Sequence, residues 1–383
     1  MQHVYLDHNA TTPLAPEVLE TMAACLGQVY GNASSIHRFG QDAKQRLEAA
    51  RRQVAALIHG QPAEIVFTGG GTEADNLAVL GVVRAANRPS HVVTTAIEHP
   101  AVLAACAQLE REGVAVTRLA VGASGVVNPD EVRRALRPET VLVSVMHANN
   151  ELGTVQPIAE IARIAHSAGV LLHVDGVQAL GKIPVDVEAL GADLYSMSAH
   201  KLYAPKGVGA LYVRRGTKVA PLVWGGHQER ERRPGTENVP GIAAFGKAAE
   251  IAGANLAADA ARLGELRDRL EAAAMERISG VSVNGSRWNR TPNTSNLCFE
   301  GIDGEALVIA LDLRGFAVST GAACSSGAVA PSHVLTAIGL PPDRARASMR
   351  FSLGRDNTAA QVDGFIEALA GSVAHLRRIS VHA

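Results

Sequence analysis

Cysteine is scarce in this sequence, and none of its four cysteines belongs to a C-x-x-C pair. Closely paired cysteines are typical of structural zinc sites and redox motifs, and disulfide-rich secreted domains carry many more of them. We therefore expect neither a disulfide framework nor a bound metal. Three of the four lie in apolar or alanine-rich segments and are predicted core residues: Cys25, Cys106 and Cys298.

An excess of charge of either sign is also lacking, since 36 Lys and Arg stand against 37 Asp and Glu. Nucleic-acid and membrane surfaces attract strongly basic proteins, so neither is predicted as a partner. No apolar run approaches the ~20 residues that a membrane helix needs. The first residues do not have the layout of a signal peptide. These absences together predict a cytoplasmic protein.

Internal repeats and low-complexity tracts are absent as well, and the chain instead alternates apolar strands with amphipathic helices. The predicted strands are Glu64–Phe67, His91–Thr95, Ala115–Leu119, Val141–Val145, Val170–Val174, Leu194–Met197 and Gly209–Val213. The helices predicted between them are Thr72–Ala86, Pro100–Glu112, Pro129–Leu136 and Ile158–Ala168. Repeated β-α units of this length predict an α/β fold with a mainly parallel sheet and helices on both faces.

A second, smaller domain is expected after the long alanine-rich helix predicted at Val239–Glu276. The segment beyond it contains predicted strands at Asn296–Phe299, Phe316–Ser319 and Ser348–Ser352, and a last helix at Thr358–Leu376. We expect a large domain formed by residues 16–255. Residues 1–15 and 256–383 are expected to form a smaller α+β domain. A chain of 383 residues is long enough to give each domain a core.

Lys201 follows a predicted strand closely, behind Ser198 and His200, and Asp175 directly follows another. A lysine can form a Schiff base with a carbonyl cofactor, and a carboxylate can keep a pyridine nitrogen protonated. Pyridoxal phosphate needs both groups. Taken alone, Lys201 also fits a solvated surface charge, as most lysines are.

Glycines 69–71 and Thr72 lie between a predicted strand and a predicted helix. Backbone N–H groups in such a turn can converge on an anion at the positive helix end. The alternative is a tight turn in which Thr72 is an ordinary N-cap. The spacing matches neither a dinucleotide-binding turn nor a P-loop, which disfavours NAD and ATP.

Polar residues follow two further predicted strands. His99 could stack on a flat cofactor and move protons near neutral pH, although a lone histidine can also be structural. Asn149 and Asn150 could bind a ligand or cap the turn. Ligands of open α/β sheets gather at the carboxyl ends of the strands. We therefore expect Thr72, His99, Asn150, Asp175 and Lys201 to meet in one site.

The order of these motifs resembles the pyridoxal-phosphate-dependent cysteine desulfurases of the NifS/IscS type, within the class V aminotransferase superfamily and fold type I. The resemblance covers essentially the whole chain. Its motifs are Tyr5-Leu6-Asp7, Gly71-Thr72-Glu73-Ala74-Asp75-Asn76, Glu98-His99-Pro100, Ala148-Asn149-Asn150-Glu151, His200-Lys201, Gly235-Thr236-Glu237-Asn238, Ala323-Cys324-Ser325-Ser326-Gly327 and Arg350-Phe351-Ser352-Leu353-Gly354-Arg355.

The resemblance implies roles around a bound pyridoxal 5'-phosphate. Lys201 would carry the cofactor and move the Cα proton, Asp175 would pair with its pyridine nitrogen, and His99 would stack on its ring. Gln178 and Asn150 would hydrogen-bond near the phenolic oxygen. The residues implied to hold the phosphate are Gly71, Thr72, Ser198, His200 and, reaching across from the other subunit, Thr236. A homodimer is therefore expected.

The resemblance also implies the reaction. Arg350, helped by Asn150, would bind the α-carboxylate of L-cysteine through a bidentate pair. Cys324, in a small, flexible Ser/Gly loop, would attack the substrate sulfur as a thiolate and become a persulfide, leaving L-alanine. His99 could donate or accept a proton in that step. The sulfur would then pass to an acceptor protein for iron–sulfur cluster assembly or thio-modification.

Three departures from the family pattern stand out. Ala322 replaces the usual serine two residues before Cys324, and Gly176 replaces an alanine, which we expect to add backbone freedom beside the cofactor. The chain also ends soon after its last predicted helix, whereas housekeeping members continue into a tail that helps dock the iron–sulfur scaffold, so this partner is in question.

Alternative functions are a selenocysteine lyase, a class V aminotransferase and a non-catalytic sulfur-carrier subunit. An aminotransferase has no need for Cys324 in a Ser/Gly loop. The presence of Lys201, Asp175, His99 and Cys324 together argues against a site that has lost its catalytic function. A selenocysteine lyase stays open at this point.

Overall fold

The computed structural model describes residues 3–320 and 331–380. Its strands, in chain order, are β1 (Val4–Tyr5), β2 (Ile65–Thr68), β3 (His91–Thr95), β4 (Ala115–Leu119), β5 (Thr140–Met146), β6 (Leu171–Asp175), β7 (Leu194–Ser198), β8 (Gly209–Val213), β9 (Val281–Val283), β10 (Thr294–Phe299), β11 (Phe316–Ala317) and β12 (Ser348–Ser352). Its helices are α1 (Pro16–Gln28), α2 (Arg38–Leu57), α3 (Gly71–Ala86), α4 (Pro100–Arg111), α5 (Pro129–Ala135), α6 (Ile158–Ser167), α7 (Val187–Leu190), α8 (Val239–Arg277), α9 (Gly304–Asp312), α10 (His333–Ala337), α11 (Pro342–Arg346) and α12 (Ala359–Ser380).

A seven-stranded mixed sheet lies at the centre of the fold, in the order β2-β8-β7-β6-β5-β3-β4. Strands β3 to β7 pair in parallel, while β8 is antiparallel to both β2 and β7. The central strands are apolar runs buried on both faces, as parallel strands covered by helices should be. The predicted α/β fold with a mainly parallel sheet is confirmed.

Most predicted elements are present, with boundaries that differ by a few residues. β7 continues to Ser198 and is followed at once by a 3₁₀ turn, Ala199–Lys201. The short strand β9 was not predicted, because its three half-buried residues give too little periodicity to read.

Buried hydrophobic residues form four clusters within the described part of the chain. The two largest pack against the seven-stranded sheet and, around Phe299, Phe351 and Phe365, between β10, β12, α8 and α12. Helix α8 contributes residues 239–252 to the first of these and residues 263–274 to the second. This supports the proposed division near residue 255, which stays a prediction because one continuous helix crosses it.

The three cysteines predicted as core residues are all buried: Cys25, Cys106 and Cys298. Their burial agrees with a packing role. Across residues 3–320 and 331–380, we find no helix with the length and hydropathy needed to span a membrane.

Candidate active site

A cavity of about 930 Å³ opens at the carboxyl ends of the parallel strands. It is lined by ten of the residues predicted from the sequence: Gly71, Thr72, His99, Asn150, Asp175, Gln178, Ser198, His200, Lys201 and Arg350. Its wall also contains Asp7, Asn9 and Asp75, which the sequence reasoning did not assign to the site. The cavity thus brings together the residues expected at one edge of the sheet: Thr72, His99, Asn150, Asp175 and Lys201.

The register of the central strands explains why Asp175 and Lys201 are neighbours. β6 and β7 pair in parallel with Asp175 opposite Ser196, so both strands end at the same edge. The 3₁₀ turn after β7 then places Lys201 over that edge.

The Lys201 amine is held against the start of the chain. Its Nζ donates to the backbone oxygens of Asn9, at 2.5 Å, and Ala10, at 2.7 Å. Burial, together with the positive charge of Arg350, lowers the pKa of Lys201 to about 8. A lysine with this pKa is partly neutral near neutral pH, which an amine that attacks a carbonyl requires.

Asp175 is a buried carboxylate at the centre of the site. Its Oδ1 accepts a hydrogen bond from the Val177 backbone N–H at 3.0 Å. Burial raises the pKa of Asp175, whereas the nearby charges of His99 and Lys201 act in the opposite direction. The adjacent Asp75 is fully enclosed, and burial followed by the charge of Asp175 raises its pKa well above normal. Of the two acids, Asp75 is therefore the harder to ionise, and Asp175, which the positive charge of Lys201 favours as an anion, is the one suited to pair with a cation.

His99 is the N-cap of α4, and its Nδ1 accepts from the Ala101 backbone N–H at 3.1 Å. The neutral ring therefore carries its proton on Nε2. Burial and the positive charge of Lys201 lower the pKa of His99, although Asp175 opposes this. A neutral, oriented imidazole at the cavity wall suits stacking and proton transfer.

The two adjacent asparagines have different roles. The Asn149 side chain accepts from the backbone N–H groups of Glu151 and Leu152, both at 2.9 Å, so it caps the turn. Asn150 lines the cavity, and its backbone oxygen accepts from Arg350 Nη1 at 3.1 Å. Asn149 therefore caps the turn, and Asn150 contacts the cavity.

Arg350, in the middle of β12, brings a buried guanidinium into the cavity although it is only 4% exposed. Its Nη2 donates to Asp7 Oδ1 at 2.6 Å. Its Nε is buried and finds no hydrogen-bond partner within the described part of the chain. Asp7 and the Asn150 backbone oxygen thus hold the guanidinium in place at the cavity wall.

The glycine turn after β2 forms a tight wall beside these groups. Gly70 is the N-cap of α3 with φ of +156°, a conformation that side chains rarely tolerate. A Cβ at Gly71 would lie 2.9 Å from Val177 Cγ2. The alternative reading of Thr72 as N-cap is wrong, because Thr72 lies within the first helical turn, where backbone N–H groups are open to an anion.

His200 stands beside this anion-binding turn as a neutral ring. Its Nδ1 lies 3.1 Å from Thr11 Oγ1. Burial and the charges of Lys201 and Lys206 lower its pKa to about 4. It can therefore donate a hydrogen bond to an anion without adding charge.

Two predicted site residues remain, one outside the cavity of the single chain and one outside the described residues. Thr236 is exposed and is not among the residues that line it. Cys324, with its neighbour Ala322, lies outside the described residues.

Gly176 corrects the expectation of added backbone freedom. A Cβ at this position would lie 1.9 Å from Tyr195 Cε1. The Tyr195 ring is fully buried, and its hydroxyl lies 3.0 Å from His147 Nδ1. The glycine therefore makes room for a large aromatic ring directly beneath the strand end that carries Asp175.

Gly176→Ala is therefore expected to lower the free energy of unfolding by about 1–3 kcal/mol through overpacking. In a Tyr195→Ala background, the same change should be nearly neutral because the clashing ring is gone. Denaturant unfolding of the four proteins in this cycle measures the effect. Gly364→Ala is the control, since it lies in helix α12 with open space around its Cβ among the described residues, and should stabilise slightly. Equal losses for Gly176→Ala in both backgrounds would contradict the packing explanation.

Comparison with known proteins agrees with this geometry. The family model described as "Aminotransferase class-V" matches residues 4–365. The cysteine desulfurase IscS of Dictyoglomus turgidum is 47% identical over 380 residues, covering 99% of this chain and 96% of that protein. A solved NifS-like protein is 38% identical with a TM-score of 0.92, over 98% of this chain and all of that one. A second structure, SspA in complex with cysteine, is 36% identical with a TM-score of 0.81, over 91% and 98% of the two chains.

The strand-end lysine and carboxylate, the near full-length match to the family model and the long alignments to named desulfurases all agree. The chain belongs to the class-V aminotransferase family and, within it, to the cysteine desulfurases of the NifS/IscS type with the fold of type I pyridoxal-phosphate enzymes.

Proposed function

We propose that this cysteine desulfurase uses pyridoxal 5'-phosphate to take sulfur from L-cysteine, releases L-alanine and holds the sulfur as a persulfide on Cys324. The observation that carries the proposal is the convergence of Lys201, Asp175, His99 and Arg350 on one cavity. Each offers a different chemical group at the same strand edge: an amine, a carboxylate, an imidazole and a guanidinium.

The residues present fit this cofactor. An amine with a lowered pKa suits its aldehyde, and a buried carboxylate suits its pyridinium nitrogen. The helix start at Gly71–Thr72, with neutral His200 and Ser198 beside it, suits its phosphate. When bound, pyridoxal phosphate supplies an electron sink that makes the substrate Cα proton acidic. Lys201 would hold the group and move that proton.

Substrate recognition is assigned to Arg350 and Asn150. Arg350 brings its guanidinium to the cavity wall, where a carboxylate would pair with it, and Asp7 keeps the guanidinium from rotating away. Cysteine is the ligand named for the related SspA structure, and we extend it to this chain as substrate.

The sulfur transfer balances between the substrate and Cys324. The Cβ–S bond of L-cysteine breaks, a bond forms between that sulfur and the Cys324 sulfur, and the substrate Cβ gains a proton. The products are L-alanine and a Cys324 persulfide, so no external oxidant or reductant is needed. Only the thiolate attacks, and His99 Nε2 is a candidate to move the proton.

A homodimer and a sulfur-accepting protein complete the proposal. The segment that precedes Thr236 exposes apolar side chains to solvent, including Trp224, which is 81% exposed. Such residues are typical of an interface, and burying them against a second copy would carry the exposed Thr236 towards the partner's phosphate. The acceptor protein is expected to take the sulfur for iron–sulfur cluster assembly or thio-modification.

The function is tested by incubating the purified protein with L-cysteine and measuring L-alanine and sulfide in the presence of a thiol. Equal amounts of both products are expected, without any added 2-oxo acid. An aminotransferase would instead require the 2-oxo acid and yield 3-mercaptopyruvate. Alanine from L-selenocysteine alone, with L-cysteine untouched, would favour a selenocysteine lyase.

The lowered pKa of Lys201 predicts how the apoprotein takes up its cofactor. Only the neutral amine reacts with the aldehyde, so the rate of reconstitution should rise with pH around a midpoint of about 8. The positive charge of Arg350 lowers the pKa of Lys201, and the negative charge of Asp7 raises it. Arg350→Met removes the first charge and leaves Asp7 unpaired by it, so both changes raise the pKa of Lys201. Its midpoint should therefore lie at higher pH. Stopped-flow absorbance measures the rates, with the surface variant Arg269→Met as control. An unchanged midpoint in Arg350→Met would refute the electrostatic explanation.

A further inference from the structure

Lys182 is a lysine behind the cavity wall that the proposed mechanism does not use. Its Nζ donates to Gln178 Oε1 at 2.5 Å and to Asn9 Oδ1 at 2.9 Å. Burial, and then the positive charges of Lys201 and Arg350, lower its pKa well below normal. Burying the Lys182 amine close to Lys201 and Arg350 costs free energy, so we expect this position to serve a function.

Gln178 has its side-chain amide fixed from both sides. Its Nε2 donates to the backbone oxygen of Asn9 at 2.9 Å, and a carbonyl oxygen can only accept. The amide nitrogen therefore faces Asn9, and the amide oxygen faces Lys182. Gln178 also lines the cavity, so its second Nε2–H is left for whatever binds there.

Asn9 holds this arrangement in place. It is 2% exposed, and its Nδ2 donates to the Asn150 backbone oxygen at 3.1 Å and to Thr294 Oγ1 at 2.9 Å. Its Oδ1 must then face Lys182, which donates to it. The Asn9 backbone oxygen also accepts a hydrogen bond from Lys201 Nζ. Lys182, Gln178 and Lys201 thus share one rigid residue.

We propose that Lys182 is a positioning residue that holds the Gln178 amide as a hydrogen-bond donor toward the ring oxygen of the bound cofactor. The inference rests on the proposed cofactor. Without Lys182, Gln178 Oε1 would lose its donor and the amide could turn its oxygen into the cavity, where it would repel an anionic ring oxygen instead of stabilising it. Lys182 would act through Gln178, without touching the cofactor.

The test compares Lys182→Met, Lys182→Arg, Gln178→Ala and the Lys182→Met/Gln178→Ala double variant as holoproteins. The readouts are the pH midpoint of the cofactor's visible absorption change and the dissociation constant for pyridoxal phosphate. Removing the donor that holds the Gln178 amide in place favours the protonated form of the cofactor, so the Lys182→Met midpoint should rise by about one pH unit. Affinity for the cofactor should fall about tenfold. Lys182→Arg keeps the donors and should shift the midpoint less.

The double variant separates positioning from a general structural role. If Lys182 acts through Gln178, adding Lys182→Met to Gln178→Ala should move the midpoint by less than it does in the parent protein. Additive shifts, or a Lys182→Met midpoint equal to that of the parent, would overturn the inference while leaving the proposed function intact. A loss of thermal stability with an unchanged midpoint would also overturn it. A parent protein without any pH-dependent visible absorption would refute the cofactor proposal itself.

Discussion

Lys201→Ala is expected to lower L-alanine formation from L-cysteine by at least about 10³-fold, because in the proposed reaction this one side chain both binds the cofactor covalently and moves the Cα proton. The two other lysines near the described cavity are placed differently: Lys182 donates to Gln178 and Asn9, and Lys206, although it also lines the cavity, is exposed to solvent. The visible absorption that depends on covalent attachment should also disappear. Alanine release and absorption spectra measure the two effects.

Lys201→Arg separates charge from chemistry. The guanidinium keeps a positive charge near Asp175 but stays protonated, so it cannot attack the aldehyde. It should be as inactive as Lys201→Ala. Lys44→Ala, at an exposed position on helix α2, is the control and should retain parent activity. Activity of Lys201→Arg within tenfold of the parent would show that a different amine carries the cofactor.

Cys324→Ala is expected to keep the cofactor absorption and to lose sulfide production by at least about 10³-fold, because the nucleophile that accepts the sulfur is gone while the cofactor site is intact. The two readouts move apart only if Cys324 acts after cofactor binding. Cys324→Ser should behave in the same way, since a hydroxyl is a far weaker nucleophile toward sulfur.

Cys25→Ala is the matched control, because Cys25 is buried on helix α1 and its change should affect stability alone. Parent-level desulfuration by Cys324→Ala would show that the nucleophile is another group. Loss of the visible absorption together with the activity would instead give Cys324 a structural role in cofactor binding.

The strands and the residues at their ends could be predicted because both depend on local patterns. Apolar runs of five to seven residues marked the central strands, and parallel strands place their carboxyl ends at one edge of the sheet. Asp175, His99 and Lys201 therefore met as expected. Asn150 was expected in the site and lines it, but the capping role of Asn149 could not be predicted, because it depends on which amide reaches the backbone of its own turn.

Contacts between distant parts of the chain were beyond local reasoning. Asn9 joins Lys182, Lys201 and Thr294, which lie far apart in the sequence, and nothing in its neighbourhood marks it as central. The pairing of Arg350 with Asp7 spans 343 residues. Gly176 was misinterpreted because its packing partner, Tyr195, is on another strand. The role proposed for Thr236 would need a second chain, which no single sequence positions.

The most direct test of the central claim is mass spectrometry of the peptide that contains Cys324, after brief exposure of the holoprotein to L-cysteine without a thiol acceptor. We expect the added mass of one sulfur atom on Cys324, formed together with one equivalent of L-alanine and removed by a thiol. The Lys201→Ala protein should show no addition. Alanine formation with Cys324 unmodified, or with the sulfur found on Cys25, Cys106 or Cys298, would contradict the account.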